Sequence, residues 1–230
     1  MTIQRSAALL SLFALLLFGV LGGGGCIFNP AGGGTPPSVA TYLPPTSPEN
    51  VVHNIQSVYI NKDFSKYDST LSTDYKFMFL QSDLTPGMPD SITHAEEVTF
   101  AEHLFKDGSA GLEAASTIRL KIDITGSYPD NRVGHEGWQE RIVMTNLALD
   151  FSGGQFTTTV AGPAIFYFKQ EPAGSGTWKF AEWDDMPANS SPSRLTATAA
   201  LHVGAASQAG AARGAPTGAS SWGHLRRDYR

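Results

Sequence analysis

The chain predicts an α+β domain in which three N-terminal helices pack into a curved, mainly antiparallel sheet. Three observations carry that expectation. Apolar residues recur at helical spacing early in the domain, at Val51, Val52, Ile55, Val58 and Tyr59 and again at Val98, Phe100, Ala101, Leu104 and Phe105. From Thr117 the period changes to two, with Ile118, Leu120, Ile122 and Ile124 alternating with Arg119, Lys121 and Asp123. Long apolar segments then follow one another across Ser152-Gly153-Gly154 and Pro172-Ala173-Gly174-Ser175-Gly176, turn chemistry that joins antiparallel neighbours.

Each element has a local cause. Ser47-Pro48-Glu49 offers an N-cap, a proline at the first helical position and an early acid, so a helix starts there. Asp63 caps a short second helix with Phe64, Tyr67 and Leu71 facing inward, and residues 75–80 read as an aromatic strand. Thr93 and Glu96 stand at capping-box spacing before a third helix, which Asp107-Gly108 ends. Strands follow from Thr117 and over 138–151, 155–169 and 177–184. Gly162-Pro163 inside the third of these four marks a bulge, an edge or a sharp bend, because proline gives no ladder hydrogen bond.

Composition divides the chain into four parts. Residues 1–25 form a lipoprotein-type signal peptide, with Arg5 as the positive end and residues 7–21 as an apolar stretch too short for a bilayer-spanning helix. The end of that stretch, Leu21-Gly22-Gly23-Gly24-Gly25-Cys26, resembles a bacterial lipobox, which implies a lipid on Cys26. It departs from the pattern in having Gly23 three places before the cysteine, where a branched aliphatic residue is usual, with Leu21 two places further back. The alternative is an ordinary secretory signal cut within the glycine run, with Cys26 a bystander. Cys26 is the one cysteine, so no intrachain disulfide forms.

Residues 26–46, rich in Gly and Pro, read as a disordered tether, 47–187 as the globular domain, and 188–230 as a low-complexity Ala/Gly/Ser tail. The tail ends in a basic, aromatic run, Trp222-Gly223-His224-Leu225-Arg226-Arg227-Asp228-Tyr229-Arg230. That run reads as an untethered terminus or as a docking segment for the acidic domain or an anionic membrane surface.

Charge supports the division. Residues 26–187 hold ten Lys and Arg against twenty Asp and Glu, while 188–230 hold five Arg against Asp228 alone. An acidic domain without clustered Lys and Arg excludes nucleic acid as a partner, because binding a phosphate backbone needs such clusters.

The order helix, short helix, strand, helix and strand meander resembles the NTF2-like superfamily, over residues 48–185. The stretches that carry the resemblance are Pro48-Glu49-Asn50 through Tyr59, Lys62-Asp63-Phe64, Leu71-Ser72-Thr73-Asp74-Tyr75, Trp178-Lys179-Phe180 and Trp183-Asp184. It implies an NTF2-like cone, a bent sheet wrapped around helices, whose mouth serves as a pocket in ketosteroid isomerase, scytalone dehydratase, limonene epoxide hydrolase and the polyketide cyclases. Aligned on Asp63 and Asp74, the isomerase's oxyanion-binding tyrosine falls at Ile55 and its general-base aspartate at Phe79, and neither residue transfers a proton.

Candidate residues follow from both readings. Ile55, Tyr59, Tyr75, Phe77, Phe79, Phe166, Phe168 and Trp183 are expected to wall a ligand pocket. His135 and Glu136 stand adjacent on a turn entering a strand and suggest an acid/base pair, and Asp184 ends the last strand at the expected rim. His94, Glu97, Glu102 and His103 share the third helix, but the histidine spacing is not that of a metal site and the group reads as a solvated polar face. Ser72 and Thr73 lack a nucleophile motif. No metal and no cofactor is expected.

The resulting expectation is a membrane-attached, extracytoplasmic lipoprotein of the bacterial cell envelope. Its domain binds a small apolar ligand or another envelope protein without catalysis. The alternatives are an enzyme using the cone pocket, and a homodimeric scaffold built on the outer sheet face, which exposed apolar side chains at Val143, Thr145 and Leu147 would favour.

Overall fold

The computed structural model describes residues 41–109, 112–151, 156–187, 190 and 221–229. The signal peptide, Cys26, most of the tether and residues 191–220 of the tail lie outside the described residues.

Helix α1 (Pro48–Asn61) starts where Ser47 Oγ accepts from the Asn50 amide at 3.3 Å, and Lys62 ends it in the left-handed region. Asp63 caps α2 (Phe64–Thr70) by accepting from the Lys66 amide. The chain runs directly into β1 (Leu71–Met78), so Leu71 is buried as the first strand residue rather than as the last turn of a helix. The strand thus opens earlier than the aromatic pattern implied and stops before Phe79. After β2 (Ser91–Thr93), the Thr93 amide donates to Glu96 at 2.9 Å and α3 (His94–Glu102) begins, continuing as a π-helical turn over His103–Asp107. Strands β3 (Thr117–Pro129), β4 (Gln139–Phe151), β5 (Phe156–Gln170) and β6 (Trp178–Asp185) follow, and helix α4 (Trp222–Asp228) closes the described chain.

The six strands form one mixed sheet in the order β2-β1-β6-β5-β4-β3. All neighbours are antiparallel except β1 and β6. Register shifts at Ile124/Gly126 and Tyr167/Phe168 add local twist, which bends the sheet around α1. At the first of these, a side chain on Gly126 would meet the exposed Tyr128 ring at 2.8 Å, so the ring would have to turn aside. Pro163 takes the edge option: β4–β5 pairing runs past it without a shift, and β6 ends opposite Ala164, so the missing N–H faces no ladder.

Two expectations are corrected by packing. Residues 42–45, placed in the tether, belong to the domain. Leu43 exchanges two 2.8 Å hydrogen bonds with the Asn54 side chain, Tyr42 OH donates to Asp63, and the Trp178 amide donates to Pro45 O at 2.7 Å. On β4 the faces are reversed. Val143, Thr145 and Leu147 point into the core, so the outer face presents Met144 and Asn146 instead and the test set for a dimeric scaffold is not met.

Candidate functional site

The eight proposed wall residues do converge. Ile55 and Tyr59 come from α1, Tyr75 and Phe77 from β1, Phe79 from just beyond it, Phe166 and Phe168 from β5 and Trp183 from β6, all within one buried cluster. Four of them, Tyr59, Phe77, Phe79 and Trp183, pack directly on helix α4 of the chain itself. Trp222, Leu225, Arg226 and Tyr229 are each at most 4% exposed, so the terminus is not untethered.

Helix α4 is seated from end to end. Ser221 Oγ caps it by accepting from the His224 amide, and the same hydroxyl donates to Asp83 at 2.5 Å. Gly223 lies so close to the Asp83 carboxylate and the Phe79 ring, both buried, that a Cβ would stand 2.6 and 2.9 Å from them, so only glycine fits there. Trp222 Nε1 donates to Thr145 Oγ1 at 2.8 Å, and its ring lies 4.5 Å from that of Trp183. At the far end His103 Nδ1 donates to Tyr229 O and Tyr229 OH donates to Glu113 O.

Arg226 is the centre of the arrangement. Its Nε and Nη2 donate to the two oxygens of Glu97 at 2.7 and 2.8 Å, and both side chains have no exposure. Tyr67 OH donates to the same carboxylate at 2.5 Å and lies 3.3 Å from Tyr59 OH. The guanidinium stands 3.9 Å over the Phe77 ring and 4.5 Å from that of Trp183, with Phe100 and Trp222 completing an aromatic cage. Burial opposes the charge on Arg226, but Glu97 outweighs it and holds the guanidinium protonated. The solvated polar face expected for Glu97 is therefore wrong. Glu97 precedes Phe100, Ala101 and Leu104 by three, four and seven positions, which puts it on the inward stripe of α3. That spacing was the available signal. For Trp222, Leu225, Arg226 and Tyr229 the signal was their own spacing of three, four and seven.

The catalytic candidates lie elsewhere. His135 Nδ1 is 2.6 Å from Asp130, not paired with Glu136, which is exposed on the turn and accepts from the Gly134 amide. The His135 ring stacks on Trp138 at 4.1 Å. Asp130 also takes Arg132, whose Nη1 reaches Glu182 at 2.5 Å and whose guanidinium covers the Tyr167 ring. Glu182 and Asp184 share the face of β6 opposite Trp183, so His135 and Asp184 meet in one cluster on the outer face of the sheet, away from the interior. At the α4 end, Ser221, His224 and Asp83 stand together, yet the serine gives its proton to Asp83, the geometry of a helix cap rather than of an activated nucleophile. Among the described residues no group of three or more His, Cys, Asp or Glu is placed to hold a metal.

Burial raises the proton affinity of two carboxyls to near neutrality. Burial, then the Glu182 charge, pushes Asp184 up to about 8 against the opposing Arg132. Burial pushes Asp185 up to about 7, with Arg226 opposing and Asp83 reinforcing, while the amides of Gly223 and Met186 face it. Both acids bind protons more tightly folded than unfolded, so their contribution is complete below about pH 4 and is lost as pH rises through 7 to 8. The midpoint of urea unfolding is expected to fall between pH 5 and pH 8, and Asp184→Asn to flatten that fall. An unchanged slope in the variant would show that Asp184 is ionised throughout.

No protein-family model and no curated protein matches the sequence. Solved structures do. A conserved protein from Planctomyces limnophilus DSM 3776 is 15% identical over 60% of this chain and 90% of its own, with a TM-score of 0.45. A ketosteroid isomerase-like protein from Erwinia carotovora atroseptica SCRI1043 is 14% identical over 59% and 89%, TM-score 0.41. An NTF2-like superfamily protein from Salmonella enterica serovar Typhimurium LT2 is 9% identical over 62% and 89%, TM-score 0.42. With its helices held by a curved, six-stranded mixed sheet, the described domain has the α+β architecture that the order of elements in the sequence predicts.

Proposed function

We propose that the protein is a lipid-anchored component of the bacterial cell envelope whose NTF2-like domain acts by binding, without catalysis. One observation carries the binding reading. The interior, which other proteins of this fold class use as a pocket, holds Trp222 and Arg226 of the chain itself, and its carboxylate Glu97 is committed to Arg226. Ile55 and Phe79, at the positions where the resemblance would require proton-transferring groups, are buried apolar residues. A partner with peptide chemistry suits this interior better than a small apolar ligand, because its one fully buried carboxylate needs a cation.

The anchor reading rests on Cys26 and the apolar, glycine-ended segment before it. Two acyl chains, at about 0.8 kcal/mol per buried methylene, are enough for stable attachment. Made in a bacterium, the protein is expected to partition into the membrane fraction with an intact mass raised by lipid, and Cys26→Ser to be soluble and unmodified. Equal solubility and equal mass shift of the two would end the anchor proposal.

One observation favours an enzyme as the second reading. Asp185, held at about 7 beneath α4, has the proton affinity of a general base at neutral pH, and its Oδ2 is buried without a hydrogen-bond partner. Turnover that Asp185→Asn abolishes would favour that reading over binding.

A further inference from the structure

We infer that the interior of the domain is a receptor for a peptide carrying an aromatic residue and, four positions later, an arginine. Helix α4 is its occupant in cis, and a partner segment of the same chemistry enters in trans. The inference deepens the binding reading and rests on it.

The receptor half of the contact is supplied by elements other than α4. Tyr67 from α2 orients Glu97 of α3 through a 2.5 Å hydrogen bond, and Tyr59 of α1 stands behind Tyr67. Phe77 from β1, Phe100 from α3 and Trp183 from β6 supply three walls around the position of the guanidinium. Thr145 of β4, already donating to Gly162 O at 3.0 Å, presents its oxygen to an indole N–H. A carboxylate, an aromatic cage and an acceptor fixed by six elements define a site for a cation plus a ring, set one helical turn apart.

The occupant, though packed in the core, shares two properties with a docking peptide. Its seven residues are too few to be helical alone, so the helix forms on docking, as peptides do when they lay an apolar face into a groove. It joins the sheet through residues 188–220, a run dominated by Ala, Gly, Ser and Thr. Its fit is also incomplete. Arg226 and Tyr75 face each other, and the Gly223 amide faces Asp185, yet Arg226 Nη1, Tyr75 Oη and Asp185 Oδ2 are buried without a hydrogen bond of good geometry among the described residues. A segment that satisfied these atoms would displace α4.

A covalently joined occupant competes at an effective concentration on the order of mM, so the test removes that advantage. A protease site is placed between Gly204 and Ala205 of the full chain, the chain is cut, and a fluorescent peptide of residues 221–230 is added while anisotropy is followed. Saturable binding is expected. The peptide with Arg226→Ala is expected to bind about 100-fold more weakly or worse, since it leaves Glu97 buried and unpaired. The uncut chain is expected to bind the unaltered peptide about 100-fold more weakly than the cut one. Failure of the peptide to exchange, or loss of the fold on cutting, makes α4 a permanent core element and overturns the receptor. Equal binding of the Arg226→Ala peptide, or of the peptide to cut and uncut chains, overturns the guanidinium site. None of these outcomes touches the lipid anchor, which is tested through Cys26, or the enzyme reading, which is tested through Asp185.

Discussion

Arg226→Ala is expected to destabilise the domain by about 3–5 kcal/mol, the usual effect of removing one partner from a fully buried ion pair. The mechanism is the charge left behind. Glu97 has no exposure, and without Arg226 its one remaining donor among the described hydrogen bonds is Tyr67. The loss also opens a space between Phe77 and Trp183, which the guanidinium covers at 3.9 and 4.5 Å. A lysine at this position restores charge but neither the two-pronged contact with both carboxylate oxygens nor the flat stacking surface, so Arg226→Lys is expected to recover only part of the loss. Replacing the pair together, Arg226→Met with Glu97→Leu, is expected to recover most of it, because burying two charges was itself costly. Urea unfolding of the three variants beside the wild type makes the measurement. A loss below about 1 kcal/mol in Arg226→Ala would mean that α4 is not seated in solution.

Most of the fold was legible because local rules and packing agree. The capping serine and proline before α1, the Thr93–Glu96 box and the period-two run from Thr117 all became the elements their chemistry calls for. Errors arose where one level of reasoning stood for another. Alternation along β4 identifies two faces but not which is covered, and Val143, Thr145 and Leu147 went to the core because α1 lies on their side of the sheet. Adjacent His135 and Glu136 suggested a pair, but neighbours on a turn diverge, and the partner of His135 is Asp130, five positions earlier. The aromatic wall could be read residue by residue. Its content could not, since the segment that fills it lies beyond a low-complexity run whose composition argues for disorder, and seven residues of helical spacing are too short to outweigh that composition.

Trp222→Ala carries the second large effect, about 3–5 kcal/mol, for a reason that differs from Arg226. Trp222 is 1% exposed and fills the volume between Tyr59 and Trp183, with ring centroids at 6.1 and 4.5 Å. Its removal leaves a cavity in a region already fixed on the other side by strands β4 and β6, where collapse is limited. Trp222→Phe separates the contributions. Phenylalanine retains much of the ring packing and loses the 2.8 Å bond to Thr145, which remains bonded to Gly162 O, so the expected loss is only about 1 kcal/mol. Trp222 and Arg226 also contact each other, the guanidinium lying 5.3 Å from the indole, and each holds the same short helix in place. Their losses should therefore not add. Once Trp222→Ala releases α4, Arg226 leaves with it, and the double variant is expected to be little worse than the more damaging single one. Full additivity in urea unfolding would instead mean that Trp222 and Arg226 are held independently by the surrounding domain, and that α4 does not dock as one unit.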